Sequence, residues 1–356
     1  MKPSVPIVRR GSALASQLGL SERIFATSED RVLARSIDAG LDRVEEGLLR
    51  EVGFADTVAD VTTRYLLNAG GKRVRPMLTL LTAHLGSGVT EEVVIAAEAI
   101  EITHLASLYH DDVMDDADKR RGVPSAQTVW GNSVAILAGD LLFARASQLM
   151  AGLGEGAIRL QADTFERLVL GQLHETVGPG PEDDPFEHYI RVLADKTGSL
   201  IAAAAQTGVI FSKAPGELEQ PVADFGERIG VAFQLIDDVI DLSPQPQTTG
   251  KVPGTDLHAG VVTLPLLRLR EAARSDAASA ELLERLERDV VGVPFDPRDA
   301  TASLVAELRD HEATASTLAE AHRWAREAVS ALGPLPDGSV KKALTRFADT
   351  IVERSS

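Results

Sequence analysis

Residues Ser28 to Val52 read SEDRVLARSIDAGLDRVEEGLLREV, and in this stretch Val32, Leu33, Ile37, Leu41, Val44, Leu48 and Val52 recur at helical spacing. Ser28 is the expected N-cap, with Glu29 and Asp30 placed in the first turn, where the helix dipole favours acids. The same period runs through most of the chain, and strand-like alternation is nearly absent. Alanine is abundant and aromatic residues make up only 4%, a composition suited to closely packed helices and poorly suited to a sheet. The fold class expected is all-α, with about ten to twelve helices. Gly70-Gly71 stops one helix, Pro76 opens the next, Gly86 to Gly88 separates a pair, and Thr90 with Glu91 and Glu92 marks an N-terminus.

The chain has 356 residues, 44% of them hydrophobic and 25% charged, enough for a sizeable core. Fifty-three acids against 36 bases leave a formal charge of −17, which argues against broad binding to nucleic-acid phosphates or an anionic membrane surface. Cysteine is absent, excluding disulfides, thiolate metal sites and cysteine nucleophiles. No run of eighteen uncharged apolar residues is present, so no integral membrane segment is expected. The first twenty residues are too weakly apolar for a secretory signal core, and the expectation is a cytoplasmic protein. Residues 1–27 are expected to form a flexible arm and 28–356 a single domain. Its clearest internal breaks are the loops Gly178 to Pro185 and Ser243 to Gly260.

Two acidic clusters carry the chemistry. The first is Asp111-Asp112-Val113-Met114-Asp115-Asp116-Ala117-Asp118, in which helical spacing puts Asp111, Asp115 and Asp118 on one face. Its counterpart is Phe233-Gln234-Leu235-Ile236-Asp237-Asp238-Val239-Ile240-Asp241, again with aspartates four apart, on an otherwise core-seeking helix. Like charges at this spacing oppose the helix and call for compensation. Carboxylates without sulfur or several imidazoles suit a hard cation, and magnesium is usually held by one or two carboxylates plus substrate phosphates. The third element is Gly70-Gly71-Lys72-Arg73-Val74-Arg75-Pro76, where Arg75 is expected to be extended by the following proline and three cations converge beside a helix start. Lys119-Arg120-Arg121-Gly122 adds a second basic group directly after the first acidic one. Together these predict a site for two phosphorylated ligands, one reached through magnesium and one gripped by arginine and lysine.

GGKRVRP, DDVMD followed by ADKRRG, Lys196-Thr197, and FQLIDDVID followed by Gly250-Lys251 occur in the order found in trans-polyprenyl diphosphate synthases, and the chain resembles that family from about Thr57 to Asp256. The resemblance implies a single helical bundle of the isoprenoid synthase type. Its active site would lie in a central cavity between the helices bearing the two aspartate motifs. It implies condensation of isopentenyl diphosphate with an allylic diphosphate, farnesyl or geranylgeranyl, with release of diphosphate. Asp111, Asp115 and Asp237 would hold three magnesium ions, supported by Asp112, Asp238 and Asp241. Arg120, Lys196, Thr197, Gln234 and Lys251 would contact the allylic diphosphate. Lys72, Arg75, His104 and Arg121 would contact isopentenyl diphosphate. Asp111, Asp115, Asp237, Arg120 and Lys196 would form the catalytic set, with no side-chain general base. The resemblance further implies a homodimer, and the product's hydrophobicity implies transient membrane contact on release.

In that family the residues four and five before the first aspartate face the growing chain. Here they are Ser107 and Ala106, both small, which implies a product longer than about twenty carbons, of the kind used as a quinone side chain. Tyr109 is expected on a different face. Three alternatives stand beside this one: a shorter-chain geranylgeranyl diphosphate synthase, a terpene cyclase, and a non-catalytic partner subunit. A cyclase has a different second metal motif, and partner subunits usually lack the aspartate motifs. Ala106→Phe is expected to shorten the product without abolishing turnover, as read by chromatography of the dephosphorylated lipids; an unchanged length would refute the role given to this position.

Overall fold

The computed structural model describes residues 27–243, 253–294 and 301–354. The expected arm, apart from Thr27, lies outside these residues, as does Lys251. The described chain is almost wholly helical: α1 Ser28–Glu51, α2 Thr57–Asn68, α3 Val74–Ala83, α4 Glu91–Met114, α5 Ala126–Trp130, α6 Asn132–Gly152, α7 Glu155–Val177, α8 Pro185–Leu193, α9 Ser199–Phe211, α10 Glu219–Asp241, α11 Thr255–His258, α12 Leu264–Ala272, α13 Ala277–Asp289, α14 Thr301–Asp310, α15 Glu312–Ala331 and α16 Ser339–Glu353. One hairpin of two-residue strands, β1 Lys119–Arg120 and β2 Val123–Pro124, is the only sheet among the described residues. The helices exceed the ten to twelve expected because short ones such as α5 and α11 are too brief to show a period.

Local signals explain most boundaries. Thr27, and not Ser28, caps α1: its hydroxyl accepts from Asp30 N while Asp30 accepts from Thr27 N, a reciprocal capping box. Thr90 caps α4 as expected. α3 begins at Val74, two residues before Pro76, so Arg75 is helical and not extended. Pro76 is tolerated there because the first-turn amides have no intrahelical partner to lose.

The chain divides into two compact units, each assembled from three separate stretches. The first takes the described residues of Met1–Glu166 with Leu200–Gly226 and Ala331–Phe347. Within it α4 is buried nearly all round, packed by α1, α3 and α6. Small residues bring these helices close. A Cβ added at Gly139 of α6 would lie 2.4 Å from His110 Nε2 on α4, and one at Gly208 of α9 would lie 2.0 Å from Thr82 Oγ1 on α3. At the second crossing Thr79 and Thr82 donate to Ala204 O and Ala205 O, both at 2.8 Å. Among the described helices α6 alone is long and apolar enough to cross a membrane, and it carries Asp140 and Arg145. One side of α6 packs along α4, while Ile136, Leu137 and Leu141 are exposed.

The second unit comprises Arg167–Ser199, the described residues of Glu227–Ser330, and the described residues of Ala348–Ser356. Its core gathers Leu257, Leu266, Leu269, Leu286, Val305 and Leu308 from α11 to α14. Between α8 and α9 the helix widens into a π turn over Ala194–Gly198, a feature often found at functional sites. It is wedged from α7, where a Cβ on Gly171 would lie 2.5 Å from Lys196 N.

Glu98 of α4 is buried against Gly47 of α1, with Arg50 Nη2 3.7 Å away and one carboxylate oxygen lacking any hydrogen bond. Burial raises this carboxyl to about 7 from its ordinary 4.5, the Arg50 charge offsetting part of the effect. The folded protein therefore binds the proton more tightly than the unfolded chain, and stability falls as pH rises through that window. Glu98→Gln removes the dependence: from about pH 5 to about pH 8 the variant should gain on the parent by on the order of 2–3 kcal/mol, read from thermal melts. Parallel pH profiles would contradict this.

Candidate active site

Both aspartate motifs sit at helix C-termini. In the first unit α4 ends at Met114, and Asp115 is the C-cap, its N–H donating to Asp111 O at 2.8 Å. The chain then turns through Asp116 in the left-handed region (φ 48°). Asp118 is therefore off the helix face on which periodicity had placed it with Asp111 and Asp115; its carbonyl accepts from Ser125 N in the following hairpin. Neither this end nor the end of α10 carries a basic residue in its last turn, so carboxylates meet the negative pole of each helix dipole. Asp111 is half-buried and Asp115 exposed. Asp112 is fully buried: Oδ1 accepts from Arg120 Nε at 2.6 Å and Oδ2 has no hydrogen-bond partner. Burial pushes the Asp112 carboxyl up, and the Arg120 charge opposes that.

The hairpin after α4 positions the basic pair. Lys119 pairs with Pro124 and Arg120 with Val123, leaving Arg121 (φ 54°) and Gly122 (φ 79°) as the two turn residues, both left-handed as a tight hairpin requires. Arg121 Nη1 donates to Leu66 O at 3.0 Å and to Gly70 O. The basic turn Gly70–Arg73 and the basic hairpin are thus tied together. A Cβ on Gly71 would lie 2.4 Å from Arg73 Nη1 and 3.1 Å from Arg121 Cζ, so any side chain there would displace a guanidinium group. His104, on α4, lies beside them: burial first, then the charges of Arg75, Arg121, Arg73 and Arg120, hold its imidazole well below its ordinary value and neutral at pH 7. Burial likewise lowers Arg121 to about 10 and depresses Arg75. Lys72 is exposed.

Arg73 departs from the sequence expectation. It is 7% exposed and taken up by two carboxylates, its Nε 2.5 Å from Glu45 Oε1 and its Nη1 3.2 Å from Glu101 Oε1. Tyr109 is fully buried and anchored to α2, donating to Thr62 O and accepting from Leu66 N at 3.2 Å. Ala106 is buried, and Ser107 donates to His104 O at 2.9 Å.

In the second unit Asp237 is half-buried, and its Oδ1 is 3.1 Å from Arg354 Nη2, whose guanidinium also stacks 4.8 Å from the Phe233 ring. Asp238 is buried, accepting from Tyr189 OH at 2.6 Å and Leu264 N at 3.3 Å; burial pushes its carboxyl up to about 8 despite these bonds. Asp241 Oδ2 accepts from Asp256 N at 3.1 Å. Lys196 lies in the π turn, bonded through Nζ to Glu175, with Thr197 next to it; Gln234 is half-buried on α10. Glu45, Glu101, Glu175, Tyr189 and Arg354 were missed by sequence reasoning. Only Glu101, three residues before His104 on one helix, had a local signal.

Among the described residues no three histidine or acidic side chains converge as a ready-made cation cage. Each helix end by itself offers carboxylates that suit a hard cation completed by a ligand's phosphate oxygens, and at the end of α4 the buried Oδ2 of Asp112 lacks a partner.

Comparison with known proteins agrees. The polyprenyl synthetase family profile matches residues 57–291. The nonaprenyl diphosphate synthase of Mycobacterium tuberculosis is 42% identical over 91% of this chain and 95% of its own length. A polyprenyl synthase from Caulobacter crescentus, solved with calcium and isoprenyl diphosphate, superposes with a TM-score of 0.80 at 31% identity, covering 92% of this chain and 98% of that one. A geranylgeranyl pyrophosphate synthase from Corynebacterium glutamicum, also solved with calcium and isoprenyl diphosphate, has a TM-score of 0.78 at 39% identity, covering 93% and 99%. The chain belongs to the polyprenyl synthetase family, prenyltransferases of the trans-prenyl diphosphate synthase class.

Arg73→Met should lower the thermal midpoint far more than Arg75→Met. The first leaves Glu101 buried without its hydrogen-bonded ion pair, a loss of about 3–5 kcal/mol; the second removes a guanidinium that no carboxylate pairs among the described residues. Equal losses in scanning fluorimetry would refute the distinction.

Proposed function

We propose that this protein condenses isopentenyl diphosphate with an allylic diphosphate, farnesyl or geranylgeranyl, in trans, to make a long-chain polyprenyl diphosphate for a quinone side chain. The observation that carries this is that one chain bears carboxylates at the C-terminal ends of α4 and α10 and, within its first unit, a separate cluster of arginines tied to the Gly70–Arg73 turn. The first suits a phosphorylated ligand reached through a divalent cation, the second one gripped directly. Similarity to the nonaprenyl enzyme supports a long product.

In this reading Asp111, Asp115 and Asp237 hold three magnesium ions. When bound, these supply Lewis-acid neutralisation of charge developing on the allylic diphosphate. Arg120, Lys196, Thr197, Gln234 and Lys251 bind that diphosphate. Lys72, Arg75, His104 and Arg121 bind isopentenyl diphosphate, His104 as a neutral hydrogen-bonding group. Asp112 aims Arg120, and Glu175 steadies Lys196, so both cations are held in place before a ligand arrives. No side chain is assigned the final proton, which passes to the released diphosphate. Ala106 and Ser107 leave room for chain growth beside α4. Residues 28–356 act as one catalytic domain, because neither compact unit is a continuous stretch of sequence. We also propose a cytoplasmic homodimer, for which Ile136, Leu137 and Leu141 supply an exposed apolar face. Transient membrane contact releases the product.

A second and less favoured reading, a geranylgeranyl diphosphate synthase, rests on the 39% identity to the Corynebacterium glutamicum enzyme. Incubation with magnesium, labelled isopentenyl diphosphate and each allylic primer separates the two. Mass spectrometry should find products longer than about twenty carbons. A product that stops at geranylgeranyl supports the second reading, and no elongation from any primer would sink both.

A further inference from the structure

Glu101 is 4% exposed on α4, and carboxylates are rarely buried without a partner. Its Oε1 accepts from Arg73 Nη1 at 3.2 Å. It is also the carboxylate whose charge reaches furthest into the basic cluster. For both Arg75 and Arg121, which pair with no carboxylate among the described residues, Glu101 supplies the largest attraction that opposes burial. Arg121 feels in addition the repulsion of Arg73, Arg120 and Arg75. Arg73 holds a left-handed backbone (φ 52°) that a non-glycine side chain adopts at a cost, at the point where the Gly70–Arg73 turn enters α3. Glu45 and Glu101 clamp its guanidinium from α1 and α4.

A pocket for a diphosphate needs several cations close together before the anion arrives, and in a half-buried place those cations repel one another strongly. One internal carboxylate relieves the repulsion while leaving the cluster net positive. We propose that Glu101 is a positioning residue for the directly gripped diphosphate: through Arg73 it sets the Gly70–Arg73 turn, and by its charge it keeps Arg75 and Arg121 gathered beside His104. It does not itself touch the ligand. This rests on the function proposed above, and the test keeps the two separable.

Glu101→Gln preserves shape and removes the charge. Steady-state kinetics should show KM for isopentenyl diphosphate raised by on the order of tenfold, with KM for the allylic substrate and kcat within about twofold of the parent. Glu101→Asp, which keeps the charge, should recover part of the loss. Glu45→Gln, altering the half-exposed side of the same clamp, should give a smaller rise in the same KM. Changes in both KM values and kcat together with a lowered melting temperature would mean a merely structural role and overturn the proposal. A tighter KM for isopentenyl diphosphate would mean the carboxylate only opposes anion binding, and would overturn it too. If the parent elongates no primer, the assigned reaction fails, yet titration calorimetry with inorganic diphosphate still tests Glu101. Binding about tenfold weaker in Glu101→Gln supports it, and equal or tighter binding, or none to the parent, overturns it.

Discussion

An α-helix carries partial negative charge where its last carbonyls lack partners, and in this protein α4 and α10 both place aspartates there. Most proteins put lysine or arginine at such ends. Here the last turn of each is free of basic residues. The arrangement costs stability twice, through the dipole and through like charges one turn apart. Much of the surrounding structure is compensation. Asp112 is buried on Arg120, Asp237 pairs with Arg354, and Asp238 accepts from Tyr189. None of these neutralises Asp115, which stays exposed at the cap of α4. Concentrated negative potential at a helix end is a demand for cations, and the chemistry proposed for the protein meets that demand.

The opposite problem arises at the basic cluster. Burial first, and then the charges of Arg75, Arg121, Arg73 and Arg120, keep the His104 imidazole neutral. Arg73 and Arg120 have carboxylate partners, while Arg75 and Arg121 lose charge stability to burial. Glycines make the crowding feasible. Gly71 admits two guanidinium groups where any Cβ would collide, and in the other unit Gly171 lets α7 approach the π turn that carries Lys196. Small residues here are spacing elements, and the charged groups depend on them for reach.

The all-helical class, the cap of α4, the loop between α7 and α8, and the two aspartate motifs were legible from period and punctuation alone. Errors fell where local rules compete. Pro76 marks a helix start by local rule, but proline is equally tolerated a position or two further in, and α3 starts at Val74. A period of 100° per residue puts Asp118 on the α4 face only if the helix continues, and it ends at Met114. The residues that stop the helix, Asp115 and Asp116, are ordinary in sequence, and the left-handed turn at Asp116 is set by the hairpin that follows. That hairpin has strands of two residues, too short for alternation to register.

The partners of the site residues were not legible, because they lie far off in the chain. Glu45 precedes Arg73 by 28 residues, and Tyr189 precedes Asp238 by 49. By itself the sequence determined which groups carry the chemistry: their identity and their spacing along single helices follow from covalent order and a fixed rise per residue. Only the tertiary structure decided which cation is paired internally, turning Arg73 onto Glu45 and Glu101 while leaving Arg75 and Arg121 without carboxylate partners among the described residues. That choice depends on which distant carboxylate packing brings within a few ångströms, and Coulomb energy in a buried place depends on distance in space, not on separation along the chain.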